Sequence, residues 1–191
     1  MPKSTFARLA GPLALALAAS GLGACSQDAG DPGTIDDSQV DSTLADVIGG
    51  VADMDTVSSA LSDTGLQSIF DGPGSYTLLA PTDTAFAALG EQGSELTQES
   101  QRAVLIAVLR DHIVPGHLTP EAIKTAISDA GGSVKMRTLG QGTVTFALDG
   151  NQISVTGPDG ETAPVSGEAV AASNGVIIPL GGVLVKLPNA E

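Results

Sequence analysis

The chain has 191 residues and a formal net charge of −14, because 22 acidic residues face only eight basic ones. This charge argues against a nucleic-acid partner and against docking on anionic lipid head groups, since both are themselves negative. A single cysteine excludes an intrachain disulfide and a thiolate metal site. Residues 42–187 are enough for one domain, which must be stabilised by its apolar core.

Residues 1–24 predict an export signal. Lys3 and Arg8 are the only charges before Cys25, and a short Ala/Leu-rich run and small residues follow them. The run is too short for a membrane-spanning helix and is typical of a cleaved signal. Leu22–Cys25 resembles a bacterial lipoprotein box, which implies cleavage before Cys25 and acylation of its sulfur. We therefore expect a stable membrane anchor; the alternative is a plain secretory signal that leaves an unpaired thiol.

Residues 25–41 predict a solvated tether behind the acylated cysteine. The segment is rich in Asp, Gly, Ser, Gln and Pro, so it cannot bury enough surface to fold. Without the signal, six basic residues remain against 22 acidic ones, a charge of −16. We expect the protein in the cell envelope. Because Ser26 rather than Asp follows the cysteine, the expected place is the outer membrane in a cell with two membranes. In a cell with one membrane it is the outer face of the cytoplasmic membrane.

Two helices are predicted at the start of the domain. A short helix is expected around residues 43–48. A second is expected from Met54 to Leu61, where apolar residues recur at helical spacing and share one face. Asp53 or Asp55 would cap its start, and Gly65 would end it.

The stretch Tyr76–Phe86 predicts a buried strand followed by a helix. β-Branched, aromatic and aliphatic residues form the strand Tyr76–Ala80, and Pro81, which cannot donate to a sheet ladder, ends it. Thr82 or Asp83 can then accept hydrogen bonds from the free N–H groups of the next helix.

Two more helices are predicted before the strands of the second half. An apolar stripe from Val104 to His112 follows Thr97 and is broken at Pro115-Gly116. Thr119–Glu121 offers a hydroxyl cap, a proline in the first turn and an acid near the positive end of the helix dipole. The helix that begins there should end near Gly131-Gly132.

Beyond these glycines the apolar alternation changes to a period of two, which predicts strands. The expected strands are Val134–Met136, Val144–Leu148, Ile153–Val155, Ala163–Ser166, Ala169–Ala172, Val176–Ile178 and Val183–Leu187. Turns are expected at Gly150-Asn151 and at 157–160. Helices grouped early and antiparallel strands grouped late predict an α+β fold.

Three segments resemble, in order, the signatures of fasciclin-like domains. They are YTLLAPTDTAF (Tyr76–Phe86), LRDHIVPGHLT (Leu109–Thr119) and SNGVIIPLGGVL (Ser173–Leu184). The resemblance covers residues 42–187, and a short tail, 188–191, follows. It implies a single twisted antiparallel β-sandwich or wedge with helices packed along one side, with Tyr76–Ala80 near the closing segment.

The resemblance also implies which residues build the fold. The matching positions are Ala80, Pro81, Thr82, Asp83, Phe86, His112, Gly116, Asn174, Gly175, Val176 and Leu184. In the family the histidine is a buried, hydrogen-bonded residue near the Thr-Asn/Asp turn, so we expect His112 to pair with Thr82 or Asp83; a ligand role is the alternative. Asn174-Gly175 is expected in a tight turn that needs positive φ.

The chain departs from the family at the positions linked to adhesion. Asp111 stands where the central signature has a tyrosine, and Ile178 and Gly181 replace a histidine and an acid of the closing signature. Ala169 and Val170 stand where animal members use an Asp-Ile pair for integrin contact. The integrin-type mechanism should therefore not be transferred to this chain.

No catalytic motif stands out in the sequence. It has no Gly-x-Ser-x-Gly elbow, no phosphate-binding Gly-Lys-Ser/Thr loop and no dinucleotide fingerprint. His112 and His117 lie five residues apart across a proline, a poor spacing for a helical metal pair. Helix capping explains Asp53 and Asp55 better than a cation does, and the tether's aspartates lack the geometry of a calcium loop. We therefore predict no enzyme, no cofactor and no metal.

The leading hypothesis is a lipid-anchored, envelope-displayed, non-catalytic binding or adhesion module. Its expected partner is a protein or polysaccharide at the cell surface, with no nucleic acid, and its domain is expected to be monomeric. A small-ligand carrier is the alternative, which a sizeable apolar pocket with convergent polar groups would favour. An unrecognised hydrolase is the remote alternative, which a perturbed carboxylate or histidine in a cleft would favour.

Overall fold

The computed structural model describes residues 41–187. The expected signal (1–24), Cys25, the tether up to residue 40 and the tail (188–191) lie outside the described residues. The predictions on those segments therefore stay predictions. None of the helices within residues 41–187 is long and apolar enough to cross a membrane.

The described chain is mainly helical up to residue 129, as the periodicity predicts. Its helices are α1 (Leu44–Val47), α2 (Asp55–Thr64), α3 (Asp83–Ala87), α4 (Glu91–Leu96), α5 (Arg102–Asp111) and α6 (Pro120–Asp129). Short 3₁₀ turns lie at Ile48–Gly50, Leu66–Asp71 and Glu99–Gln101. Thr43 begins α1 with a capping box, and the Thr119 hydroxyl caps α6 ahead of its proline. Gly65 ends α2 in the left-handed conformation, as expected.

The strands form two four-stranded sheets in the described residues, in the orders β2-β1-β8-β7 and β3-β4-β5-β6. They are β1 (Tyr76–Pro81), β2 (Ile113–Pro115), β3 (Ser133–Arg137), β4 (Thr143–Asp149), β5 (Gln152–Thr156), β6 (Thr162–Pro164), β7 (Val170–Ala172) and β8 (Gly175–Leu180). The second sheet is antiparallel throughout.

The first sheet is mixed, because β1 and β8 run parallel, from Tyr76 opposite Gly175 to Pro81 opposite Leu180. The α+β class and the place of β1 beside the closing segment are confirmed, but the expectation of a wholly antiparallel sandwich is wrong. Parallel neighbours need a long connection rather than a hairpin. All of the chain between these two strands, including the second sheet, supplies that connection.

The expected last strand, Val183–Leu187, is absent, since this stretch consists of bends and irregular chain. The backbone of Leu184 is used in other ways. Its N–H donates to the ring of His112, and its carbonyl lies so close to Gly157 that a Cβ there would come within 1.7 Å of the oxygen. These contacts fix the closing segment without a ladder.

One apolar cluster packs on each face of the first sheet. Leu78, Ala80 and Ile177 pack with α1, α2 and α5 in one cluster. Leu79 and Ile178 point the other way and pack with α6 and the second sheet. Because β1 and β8 are buried on both faces, they read as continuous apolar runs, which is typical of parallel strands.

Candidate functional site

The turn that follows β1 caps two helices at once. The Thr82 hydroxyl accepts a hydrogen bond from the Ala85 N–H at 3.1 Å and so begins α3. The Asp83 carboxylate accepts from the N–H groups of Asp55 at 3.1 Å and Thr56 at 2.8 Å, at the start of α2. Partial burial works to raise the pKa of Asp83, yet the hydrogen bonds from Thr56 and Asp55 lower it below its usual value. The turn thus ties two helices to one strand end.

This arrangement corrects the expected cap of the second helix. Its N-cap position is Met54, which makes no side-chain cap, and neither Asp53 nor Asp55 supplies one. Asp53 instead has a φ of 61°, and its carbonyl accepts from the Asp83 N–H at 2.9 Å. Sequence reasoning missed the cap because Asp83 lies far from α2 along the chain.

His112 is buried, and both of its ring nitrogens are hydrogen-bonded. Nδ1 donates to the Val108 carbonyl at 2.8 Å, and Nε2 accepts from the Leu184 N–H at 3.0 Å. A ring nitrogen that accepts a backbone N–H carries no proton, so the ring is neutral. Burial lowers the pKa of His112, although the Val108 hydrogen bond and the Asp111 charge work to raise it.

The expected pairing of His112 with Thr82 or Asp83 is therefore wrong. The ring joins the central signature to Leu184 of the closing signature instead. The backbone carbonyl of His112 also accepts from the Leu79 N–H at 2.8 Å, which links the central signature to β1. These contacts leave no ring nitrogen for a ligand.

Asn174 and Gly175 hold the start of β8 against the N-terminal helices. The Asn174 side chain accepts from the Leu44 N–H at 2.8 Å and donates to the Phe70 carbonyl. A Cβ on Gly175 would lie 2.0 Å from the Tyr76 carbonyl oxygen. Neither Asn174 nor Gly175 has a positive φ, so that expectation is wrong. Close contact between the backbones of β1 and β8 is what requires glycine here.

Gly116 does have a positive φ, 109°. Its N–H donates to the Ser75 carbonyl at 2.8 Å, and its own carbonyl accepts from the Thr77 hydroxyl at 2.7 Å. The remaining signature residues lie in the interior: Ala80, Pro81, Phe86, Val176 and Leu184 are all buried. The signature positions of this chain are thus brought together as a scaffold.

Two of the substituted family positions, Asp111 and Ile178, have structural roles of their own. The Asp111 carboxylate accepts from the Thr138 hydroxyl at 2.7 Å and from the Gly142 N–H at 3.3 Å, which anchors the loop before β4. Ile178 is fully buried, whereas Gly181 is exposed. His117 is also exposed.

Val170 lies in an open surface cleft, which we term the acidic cleft. It is lined by Asp46, Val47, Val51, Asp53, Glu168 and Val170, with Thr82 of the first signature also at its wall. The three valines give it a half-buried apolar floor, and every charged side chain that lines it is acidic. Its residues come from three distant stretches of chain, so no sequence pattern could have indicated it.

No group of three or more His, Cys, Asp or Glu side chains within residues 41–187 is placed to hold a metal ion. Every buried side-chain nitrogen or oxygen in that region has a hydrogen-bond partner. The described interior thus shows no unsatisfied polar atom aimed at a missing group.

Comparison with known proteins gives the family. A sequence profile of the Fasciclin domain matches residues 52–186. Protein sll1483 of Synechocystis sp. is 28% identical over 145 residues, which cover 75% of this chain and 73% of that protein. The transforming growth factor-beta-induced protein ig-h3 of Sus scrofa is 28% identical over 123 residues, covering 64% of this chain but only 16% of that protein.

A solved structure shares the fold at low identity. The FAS1 domain pair from the insect cell adhesion molecule fasciclin I superposes with a TM-score of 0.66 at 13% identity, covering 76% of this chain and 51% of that chain. This chain thus spans about half of the domain pair. Because the family profile matches most of the described residues, the chain belongs to the Fasciclin domain family.

Proposed function

We propose that this protein is a lipid-anchored, envelope-displayed, non-catalytic adhesion module with a partner at the cell surface. The observation that carries the proposal is the match of nearly the whole described chain to the Fasciclin domain, a family known in adhesion proteins and generally non-enzymatic. The insect relative is itself described as a cell adhesion molecule.

The acidic cleft supports a protein partner rather than an anionic polymer. An apolar floor rimmed by Asp46, Asp53 and Glu168 fits a segment in which basic side chains flank an apolar one. Attraction of this kind is long-ranged and screened by salt, with a Debye length of about 8 Å at physiological ionic strength. Adhesion through this cleft should therefore weaken as salt is added.

A charge-reversing substitution tests the adhesive surface. Vesicles that carry the full-length acylated chain would be scored for attachment to intact cells of the producing strain, with Glu168→Lys compared with wild type. Loss of one charge pair at a protein interface should weaken attachment about tenfold. Glu161→Lys is the matched control, because Glu161 is an exposed acid outside the acidic cleft. Equal effects of the two variants, or none from either, would contradict the assigned surface.

The anchor has its own test at Cys25. Metabolic labelling with a palmitate analogue should mark the wild-type chain and not Cys25→Ala, and the variant should leave the membrane fraction. Two or more acyl chains are needed for stable anchoring, so loss of the cysteine should release the protein. Unchanged labelling of Cys25→Ala would overturn the lipid anchor, whatever the adhesion assay shows.

Structural contacts account for the carboxylates with shifted pKa values. Asp46 and Asp83 are the carboxylates with shifted pKa values that line described clefts. Hydrogen bonds at helix starts lower both pKa values, the Thr43 side chain being the main cause for Asp46. A general acid in a glycosidase or similar hydrolase needs a raised pKa instead.

A small-ligand carrier is the second candidate. It is favoured by a cleft of about 330 Å³ between α2 and the start of α5, a volume at the lower end of the range for ligand pockets. The polar character of that cleft decides which ligands suit it.

A further inference from the structure

A cleft between two helices, which we term the helical cleft, has the chemistry of a ligand site. It is partly open to solvent and has a volume of about 330 Å³ between α2 and the chain that leads into α5. Ala60 and Leu105, both buried, form its apolar floor. Ser59 and Asp63 line the cleft on the α2 side, and Gln98 and Arg102 line it on the side of α5.

Four of the polar side chains at its rim are exposed and not engaged by the protein, whereas the hydroxyls of Thr64 and Thr97 donate to backbone carbonyls. Within the described part of the chain, no hydrogen bond or ion pair involves the side chains of Ser59, Asp63, Gln98 or Arg102. This differs from the polar groups around His112, whose partners are all within the chain. Acceptors, donors and a hydroxyl thus surround a small apolar floor and remain available to a ligand.

A second, more open cleft adjoins the helical cleft. Thr56 and Thr97 line both clefts, and we treat the two adjacent clefts together as one groove. The extension carries Glu91, Ser94 and Glu95, which are exposed acceptors and hydroxyls. The groove can therefore take a longer ligand than the helical cleft alone can hold.

We propose that this groove binds a saccharide. Each sugar hydroxyl both donates and accepts, so it needs acceptors such as Asp63 and donors such as Arg102 together. The C–H face of a sugar ring suits the small apolar floor. The acids Asp63 and Glu99 line the helical cleft beside a single base, Arg102, and the second cleft adds Asp83, Glu91 and Glu95, so the lining repels an anionic ligand. A cationic ligand is the competing occupant, and the test below separates it from a saccharide.

The extension predicts how affinity depends on ligand length. A monosaccharide fills the helical cleft alone, whereas a longer chain also reaches the hydroxyls and carboxylates of the second cleft. Oligosaccharides should therefore bind more tightly than their monomers. Because the ligand is neutral, added salt should change its affinity little, in contrast to adhesion through the acidic cleft.

The test uses the full-length chain in a detergent without a sugar head group. Glucose, N-acetylglucosamine and their linear oligosaccharides are titrated by calorimetry, and amide shifts in the NMR spectrum locate the bound probe. Asp63→Asn and Arg102→Gln should each weaken oligosaccharide binding about tenfold, since each removes a hydrogen bond to a charged group. Arg110→Gln is the matched control, because Arg110 is exposed on the same helix but outside the groove.

Three results would overturn the proposal. They are no binding by any probe to the wild-type chain, equal binding by Arg102→Gln and wild type, and binding of free lysine or spermidine without binding of any sugar. Thermal unfolding of each variant shows whether it is folded before binding is scored. The groove shares no lining residue with the acidic cleft, so this result and the Glu168 result are independent.

Discussion

The three signature segments and the helical cleft use polar residues in opposite ways. The signatures meet along β1 and β8, where Thr82, His112 and Asn174 all find partners inside the chain. We call this region the signature seam. At the helical cleft, Asp63 and Arg102 are exposed and have no described partner.

This difference separates stability from binding. A buried polar group with a protein partner costs free energy when the partner is removed, because a desolvated atom is left unpaired. An exposed, unengaged charge costs the fold little when it is replaced. Substitutions in the signature seam should therefore change unfolding, and those at the clefts should change binding.

The largest effect is expected from Gly175→Ala in the signature seam. Its new methyl group would lie 2.0 Å from the Tyr76 carbonyl oxygen and 2.4 Å from a Leu44 methyl carbon, so β1 and β8 would have to separate. We expect a loss of at least about 3 kcal/mol in the free energy of unfolding, measured by urea denaturation. Gly50→Ala is the control at the acidic cleft, because nothing lies within 4 Å of its added Cβ. A similar loss in the free energy of unfolding from both variants would contradict the separation of stability in the signature seam from binding at the clefts.

The next largest effect is expected from His112→Phe. The substitution leaves the Leu184 N–H and the Val108 carbonyl without their side-chain partner in a buried place. We expect a loss of about 2–4 kcal/mol in the free energy of unfolding, since an unsatisfied buried group costs about 1–3 kcal/mol. The folded fraction should still bind as wild type does. Wild-type stability together with lost binding would instead make His112 a ligand residue.

A third effect is a dependence of stability on pH caused by the same histidine. Its folded pKa lies below the usual value of 6.5 because of burial, so in acid the unfolded chain takes up a proton that the folded chain does not. Above pH 6.5 His112 does not lower the free energy of unfolding. As the pH drops from 6.5 towards the folded pKa, the free energy of unfolding falls by at most about 1.4 kcal/mol per pH unit. Urea midpoints for wild type and His112→Gln, measured from neutral pH down to about pH 5, should show a steeper fall in wild type. Parallel curves would exclude His112 as the cause.

The sequence alone predicts most of the elements, because the period of apolar residues reports local structure. The helix started by Thr119, the end of α2 at Gly65 and the strand at Tyr76 all depend on residues within a few positions. The resemblance of three segments also leads to the right family.

Contacts between distant segments are what the sequence does not predict. Whether β1 and β8 run parallel depends on the path of the chain between them, which apolar alternation does not record. The predicted partner of His112 is wrong for the same reason, since its ring accepts from the backbone N–H of Leu184, a group that almost any residue carries. The two clefts combine residues from separate helices and loops, so they emerge only in the folded chain.

The smallest effect is expected at the long-range cap of α2, where sequence and structure disagree on the residue. The sequence favours Asp53 or Asp55, whereas the structure has Asp83 accept from two N–H groups at the start of the helix. Asp83→Ala should lower the free energy of unfolding by about 1 kcal/mol, the usual cost of losing an N-cap. Asp55→Ala is the matched control and should cost less, because its side chain caps nothing.

Acid offers a second check on the same cap. The folded pKa of Asp83 is below its usual value of 3.8, so its stabilisation is present above that pH and is lost as the pH falls through the folded pKa. The difference in urea midpoint between wild type and Asp83→Ala should therefore shrink below about pH 4. A difference that stays constant into strong acid would mean that Asp83 acts by packing, and that the charge at the start of α2 is not what ties this helix to the signature seam.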